Sequence, residues 1–314
     1  MMIKNVVFLD RDTFPESLEI PPLALKAKWK FYGFTTDKQV SERIKNAHII
    51  INNKVNLNSK NLKKAKNLEL IAISATGTNI IDLNYCKSRG IAVTNLRNYA
   101  SDSVAEHVFS MILTLLKQIK GLEKDIKKNI WQTRKVFALL SKEIQNLRGK
   151  TVGIIGKGSI GLKVAKLSRA FGMKVEFLSA RNLKRKDLIK FLKNIDILTM
   201  HCPLNKHTEN LISLKEMKLM NKDSMIINTA RGGIVNEDDL VYALNKKIIS
   251  FAGIDVTTME PPKKNHPYYK IINSPNFIWT PHTAWASDET LKNALKQLIN
   301  NINSFYLSKP KNLV

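Results

Sequence analysis

The sequence predicts an α/β protein of two domains, and three observations carry that prediction. At 314 residues the chain exceeds what one hydrophobic core usually organises. Short β-branched or apolar runs alternate with segments of helical spacing. The alternation occurs twice, over the first hundred residues and again from Thr151.

In the first stretch, Lys4 to Leu9, His48 to Ile51, Leu68 to Ile73 and Ile91 to Val93 read as strands. Asp37 to Lys45, Ser59 to Lys66 and Asp82 to Arg89 read as helices between them. Ser101-Asp102-Ser103 offers N-cap side chains for a long helix from Val104 to about Lys120, suited to joining two domains. From Thr151, strands are expected at Thr151 to Ile155, Lys174 to Leu178, Asp196 to Met200, Ser224 to Asn228, Phe251 to Asp255 and Phe277 to Trp279. Repeated strand-helix-strand units make a parallel sheet covered on both faces, with ligands at the carboxyl ends of its strands. After Asp288 the chain is helical again, through Leu291 to Ile299, but too short for a domain, so this helix is expected to pack back on the first one.

Composition narrows the function. The net charge of +25 invites a nucleic-acid reading, yet the lysines are spread along the whole chain instead of forming an arginine-rich stripe with interleaved aromatics. No nucleic-acid partner is expected: genome-wide base composition accounts for lysines spread in this way, and the charge keeps only a residual role in steering a small anionic substrate and a phosphate-bearing cofactor. The longest apolar candidate, Val108 to Leu116, is broken by Lys117 and Lys120, so no membrane span is expected. The opening Met1 to Asp10 turns acidic too soon for a signal peptide and reads as a buried strand. Cys86 and Cys202 lie far apart, which suggests neither a disulfide nor a zinc site and points to the reducing cytoplasm. His48, His201, His207 and His266 lack metal-ligand spacing, and no metal is expected.

The sharpest motif is Gly156-Lys157-Gly158-Ser159-Ile160-Gly161, lying between the apolar strand ending at Ile155 and the helical Leu162 to Leu167. In that context the first glycine permits a tight turn, the second lets backbone approach a pyrophosphate, and the third lets helix pack on strand. A nicotinamide dinucleotide is the implied ligand, its phosphates met by the helix N-terminus. An NAD site ends its next strand in Asp or Glu, about 20 residues on. Here that strand ends Phe177-Leu178-Ser179-Ala180-Arg181, with Lys184, Arg185 and Lys186 close behind. The missing acid at Ser179 and the base at Arg181 favour NADP(H) over NAD(H). Lys and Arg fill 51 positions, so the missing acid is the stronger half of this argument.

Three further segments each follow an expected strand: Asn228-Thr229-Ala230-Arg231-Gly232-Gly233, Gly253 to Pro261, and Pro281-His282-Thr283-Ala284-Trp285. Together they supply a guanidinium, a carboxylate and an imidazole, a set suited to reducing a 2-keto acid. Arg231 can bind the substrate carboxylate and keto oxygen. His282 can give the keto oxygen its proton, and Glu260 can orient the ring and favour its charged form. The loop Ala75-Thr76-Gly77 can present backbone N–H groups to a carboxylate. Lys54 can add a point charge there, or be one more surface lysine. His107, inside the long helix, suits packing or a supporting hydrogen bond.

The glycine turn, His201-Cys202-Pro203-Leu204, Asn228 to Gly233, Asp255 to Pro261 and Pro281-His282 occur in the order found in the D-isomer-specific 2-hydroxyacid dehydrogenase family, which the chain resembles over nearly its full length. The resemblance implies catalytic roles for Arg231, Glu260 and His282. It implies pyrophosphate contacts from Ser159 and Ile160, an adenosine-side lining by Cys202 and Pro203, and a backbone contact at Thr229, beside Ala230. Asp255 would hold the nicotinamide carboxamide, next to His282. It further implies two Rossmann-like domains: a doubly wound, parallel-sheet NAD(P)-binding domain, residues 103–282, inserted into a flavodoxin-like substrate domain, residues 1–102 and 283–314. A homodimer through the NAD(P)-binding domain belongs to the same expectation.

Phe8 to Asp12, Asn52 to Val55, Ser74 to Asn79 and Pro281 to Trp285 look most like bacterial glycerate dehydrogenases, also called hydroxypyruvate reductases. Reduction of hydroxypyruvate or glyoxylate is the implied reaction. A phosphoglycerate dehydrogenase-type enzyme would need further cations for the substrate phosphate. A dinucleotide-sensing, corepressor-like binding protein is the rival from another class, but a pure sensor has no need of a proton donor.

Overall fold

Runs such as Ile49-Ile50-Ile51 and Met225-Ile226-Ile227 suit strands buried on both faces, and they are fully buried in a computed structural model that describes residues 2–181 and 183–314. The chain divides into two compact units. One comprises the residues up to Tyr99 together with Ser287–Val314, and the other is Ala100–Ala286.

The first unit runs β1 (Lys4–Phe8), β2 (Ala27–Phe31), α1 (Asp37–Ile44), β3 (Ile49–Asn52), α2 (Ser59–Leu62), β4 (Leu70–Ile73), α3 (Leu83–Ser88) and β5 (Ala92–Thr94). Its strands are all parallel, in the order β2-β1-β3-β4-β5, the flavodoxin-like arrangement. Sequence patterning does not reveal β2, because exposed Lys28 and Lys30 interrupt its apolar residues. Such lysines are tolerated at a sheet edge, where they discourage pairing with another chain. The helix Asp288–Tyr306, capped by Ser287 accepting from Thr290 N–H, returns to this unit and packs beside β4. Polar ties fix it: Asn301 Nδ2 donates to Asn95 O (2.9 Å), Arg97 N to Gln297 Oε1 (2.6 Å), and Tyr306 Oη to Glu69 Oε2 (2.7 Å).

The second unit begins with α4 (Ser101–Leu116) and α5 (Ile119–Lys127). The sequence reading carries the long helix to about Lys120, but α4 ends at Leu116: Gln118 adopts φ +54° and turns the chain before α5, its Nε2 donating to Leu115 O at 3.0 Å. There follow β6 (Thr151–Ile155), α6 (Ser159–Ala170), β7 (Lys174–Leu178), α7 (Arg185–Lys193), β8 (Ile197–Met200), α8 (Leu214–Met217), β9 (Met225–Asn228), α9 (Glu237–Asn245), β10 (Phe251–Ile254) and β11 (Phe277–Trp279). The sheet is wholly parallel, in the order β11-β10-β9-β8-β6-β7. One of its cores includes Val108, Ile112 and Leu115 of α4 with Val164 of α6, and another includes Leu188 and Phe191 of α7. From β6 the chain goes to β7 on one side and then crosses to β8 on the other. That reversal opens a crevice at the strand carboxyl ends, where an open α/β sheet binds its ligand.

The sequence placed the domain boundaries after residues 102 and 282, whereas the contacts change after Tyr99 and after Ala286. The reasons are local. The helix α4 already begins at Ser101, and Asp255 of the second unit holds the backbone of Thr283 and Ala284.

Candidate active site

At the β6 to α6 turn the three glycines do different physical work. Gly156 has φ +110°, and a Cβ there would lie 2.3 Å from His201 O. A Cβ on Gly161 would lie 2.2 Å from Gly156 O, so this glycine lets α6 sit on the turn. Gly158 meets nothing within 4 Å. Open space in front of Gly158, beside the N–H groups that Ser159 and Ile160 contribute to the first turn of the 12-residue α6, fits a pyrophosphate. Thr229 Oγ1, buried just beyond β9, has no hydrogen-bond partner among the described residues, which also fits a polar ligand.

Beyond β7, Ser179 and Arg181 are exposed, and Ser179 Oγ accepts Arg181 N–H at 3.2 Å, with Ala180 between them half-buried. The basic cluster that follows is not all available. Arg185 is paired with Glu216, whose carboxylate also caps α8 through Ser213. Burial pushes Glu216 up, but Ser213 and Arg185 together hold it below the ordinary carboxylate value. Arg181, Lys184 and Lys186 follow the strand without such a pair among the described residues, and Lys157 Nζ lies 5.5 Å from the ring centroid of Phe177 within it.

After β8, His201 N–H donates to Ile155 O (2.8 Å) and its Nε2 pairs with Thr199 Oγ1 (2.9 Å). Burial pushes the His201 imidazole down to about 3, so the ring is neutral at physiological pH. Cys202 is buried beside it, its thiol pushed up to about 11, while Pro203 is exposed.

The remaining residues sit on three loops at the ends of β9, β10 and β11. Asn228 shapes the first: its side chain donates to Arg231 O (2.9 Å) and accepts from Ala230 N (3.1 Å). The half-buried Arg231 folds Nη1 onto Ala230 O at 2.7 Å. In the second loop, Thr257 N–H donates to Glu260 Oε1 at 3.1 Å. Glu260 Oε2 lies 2.6 Å from His282 Nδ1, so two groups 22 residues apart form the acid and imidazole pair expected from sequence. Arg231's loop reaches the same place through Gly232, where a Cβ would strike the backbone of Thr257 and Thr258 at 2.0–2.3 Å.

His282 itself is left-handed, with φ +58°, which costs a residue bearing a Cβ about 1–2 kcal/mol. Asp255 holds the turn. Its carboxylate accepts Thr280 Oγ1 (2.5 Å), Thr283 N (2.9 Å) and Ala284 N (3.0 Å), and its carbonyl accepts His282 N (2.8 Å). The sequence reading gave Asp255 to the nicotinamide carboxamide. Its side chain is fully buried and its oxygens accept bonds from the turn that carries His282, so Asp255 also holds that turn. His107 Nε2 supports it at one remove, 3.0 Å from Thr280 Oγ1.

In the first unit, the candidate substrate residues occupy the loops after β3 and β4. Asp10, which sequence reasoning left without a role, fixes the first. Buried at the end of β1, it accepts Asn53 N at 3.0 Å and Lys54 N at 2.6 Å, while Asn52 braces Val55. The Lys54 side chain is exposed on that braced loop. Ala75 O and Thr76 O are taken by Leu96 N–H and the Asn95 amide, which fix the Ala75-Thr76-Gly77 loop. An acid directly after an apolar strand was the available signal for Asp10. Among the described residues, no cluster of His, Cys, Asp or Glu could hold a metal ion, and no helix is long and apolar enough to cross a membrane.

Residues 109–284 match the family model described as D-isomer specific 2-hydroxyacid dehydrogenase, NAD binding domain. The chain is 38% identical to glycerate dehydrogenase of Methylorubrum extorquens over 317 aligned residues, covering 100% of this chain and 99% of that relative. It is similar to the structure of D-lactate dehydrogenase from Aquifex aeolicus complexed with NAD and lactic acid, with TM-score 0.80 and 31% identity over 97% of this chain and 96% of that one. An acyclic imino acid reductase in complex with NADPH and D-Arg aligns with TM-score 0.84 and 27% identity over 99% of both chains. Two parallel-sheet units, a dinucleotide turn and a paired acid and imidazole accompany these matches: the chain belongs to the D-isomer-specific 2-hydroxyacid dehydrogenase family of NAD(P)-dependent oxidoreductases.

Proposed function

We propose that this enzyme reduces a small 2-keto acid, hydroxypyruvate or glyoxylate, to the D-2-hydroxy acid with NADPH. The observation that carries the reading is the 2.6 Å contact between Glu260 and His282. With Nδ1 on Glu260, the ring keeps Nε2 for substrate. His282 then gives its proton to the keto oxygen, and Glu260 holds the ring's orientation and balances its charge. Arg231 grips the substrate carboxylate and keto oxygen through its fork of donors. Lys54 and the Ala75-Thr76-Gly77 loop add contacts to the substrate carboxylate. Bound at the glycine turn, the dinucleotide supplies the hydride.

The similarity to a glycerate dehydrogenase over the full chain supports the substrate assignment. The Ser179 and Arg181 strand end supports NADPH. A matrix of hydroxypyruvate, glyoxylate, pyruvate and 3-phosphohydroxypyruvate against NADH and NADPH tests both. Hydroxypyruvate or glyoxylate with NADPH is expected to give the highest kcat/KM. Best turnover of the phosphorylated acid overturns the substrate assignment, and equal efficiency with NADH overturns the cofactor assignment. His282→Ala is expected to lower kcat by about 10²- to 10⁴-fold, and unchanged turnover sinks the acid-base role.

Two further assignments go with this reading. The segment from Trp131 to Leu140 in the NAD(P)-binding unit exposes Val136, Phe137 (92% exposed) and Leu140 (85%), an apolar surface suited to a second copy of the chain. A monomer by sedimentation at micromolar concentration would remove the homodimer. Both cysteines are free and buried, which suits the reducing cytoplasm.

A further inference from the structure

Glu237 and His266 take no part in the reaction just described, yet they form a second hydrogen-bonded acid and imidazole pair in the second unit. His266 Nε2 lies 2.9 Å from Glu237 Oε2, with the two side chains 7% and 14% exposed. Tyr268 N–H donates to His266 Nδ1 at 3.3 Å, so the ring proton sits on Nε2 and points at the carboxylate. The other carboxylate oxygen, Glu237 Oε1, accepts Thr258 N–H at 2.7 Å. Glu237 thus spends both oxygens as acceptors, one on a ring and one on the loop that carries Glu260.

What the ring touches next gives the pair its importance. His266 stacks on Trp279, with centroids 5.3 Å apart and planes 26° apart. Trp279 ends β11, three residues before His282. Glu237 lies at the start of α9, just after the Arg231 loop, and α9 packs against the turn that begins at Pro267. One buried pair therefore touches the Glu260 loop by a hydrogen bond and the root of the His282 loop by ring stacking.

We infer that Glu237 and His266 are positioning residues that register Glu260 against His282. The inference rests on the acid-base reading above. Thr258 is exposed; Thr257 ties the loop to Glu260 and Met259 from within, and from outside it the Glu237 carboxylate and the close approach of Gly232 hold its backbone. Only a carboxylate answers both donors. Glutamine has one acceptor oxygen, and its amide would face either Thr258 N–H or the ring N–H. Removing the pair lets Glu260 drift from a contact that must hold to within a fraction of an ångström.

The test is a double-mutant cycle on the full-length enzyme. Glu237→Ala is expected to lower kcat about 10- to 100-fold, with KM for the keto acid and Kd for NADPH, followed by fluorescence, within about twofold. In a Glu260→Gln background the same substitution is expected to cost less than about threefold, because the residue it positions is gone. Glu237→Gln recovers part of the loss. An unchanged kcat in Glu237→Ala overturns the inference, as does an equal loss in both backgrounds, which marks a general structural role. If Glu237→Ala fails to fold, the cycle is run with Glu237→Gln and with His266→Asn, read the same way. Full activity in Glu260→Gln alone is a different result: it overturns the acid-base reading itself.

Discussion

Alanine at Gly232 probes how closely the Arg231 and Glu260 loops are registered. The backbone at this glycine lies outside the left-handed region, so alanine meets only the contact in front of it. That contact is severe. The new Cβ would lie 2.0 Å from Thr257 C, while ordinary contact begins at 3.4 Å, so one loop must retreat by the difference, about 1.4 Å. Its neighbours are backbone atoms of Thr257 and Thr258, which cannot rotate away as a side chain end would. Overpacking of this kind costs about 1–3 kcal/mol of stability. A displacement of about 1 Å at reacting groups costs about 100-fold in rate. Gly232→Ala is therefore expected to lose about 100-fold in kcat, with a smaller loss of NADPH affinity because the glycine turn that meets the pyrophosphate is left intact. Steady-state reduction of hydroxypyruvate, urea unfolding and fluorescence binding of NADPH read the three quantities. A variant with kcat within about twofold of the parent would refute the registration of the two loops at this point.

Three other outcomes follow from the same geometry. Gly158→Ala meets open space and should leave the midpoint of urea unfolding unmoved, but its methyl group stands where a pyrophosphate would lie, so cofactor affinity should fall about tenfold or more; unchanged affinity would move the phosphate elsewhere. Ser179→Asp should reverse the cofactor preference by lowering kcat/KM with NADPH and raising it with NADH, and a variant that still prefers NADPH leaves Ser179 without a role in the choice. His201 binds its proton more weakly folded, at about 3, than unfolded, at 6.5, so the unfolded chain holds more protons between those values and stability should fall as pH drops from 6.5 toward 3. His201→Gln should flatten that slope in denaturant titrations, and identical slopes would remove the assignment.

Legibility in the sequence followed the range of the interaction. The strands β3, β9 and β10 could be read because burial on both faces leaves an unbroken apolar run, and the glycine turn because each glycine answers a local demand. β2 could not, since an edge strand is free to carry Lys28 and Lys30. Nor could the break at Gln118, where a residue with a Cβ takes a left-handed turn that its identity does not announce. The three catalytic candidates were found through residue type and place after a strand. Their supports were not: Asp10 under Lys54, Asp255 under the His282 turn, and Glu237 with His266 are joined across 28 to 44 positions by hydrogen bonds. Arg185 shows the reverse error, since a cation counted for the cofactor by proximity in sequence is occupied by Glu216 31 residues away.

The return of the helix Asp288–Tyr306 to the first unit bears on the order in which the protein is finished. As the chain leaves the ribosome, the cofactor unit has all of its residues once Ala286 has emerged. The first unit, begun earlier, still lacks the helix whose Leu295, Leu298 and Ile302 are buried in it. Until then the surface of β4 that this helix will cover stays open, and the Asn95 carbonyl waits for Asn301. The part synthesised first is thus completed last, and a nascent chain stalled before Tyr306 would carry a complete dinucleotide fold beside an unfinished first unit.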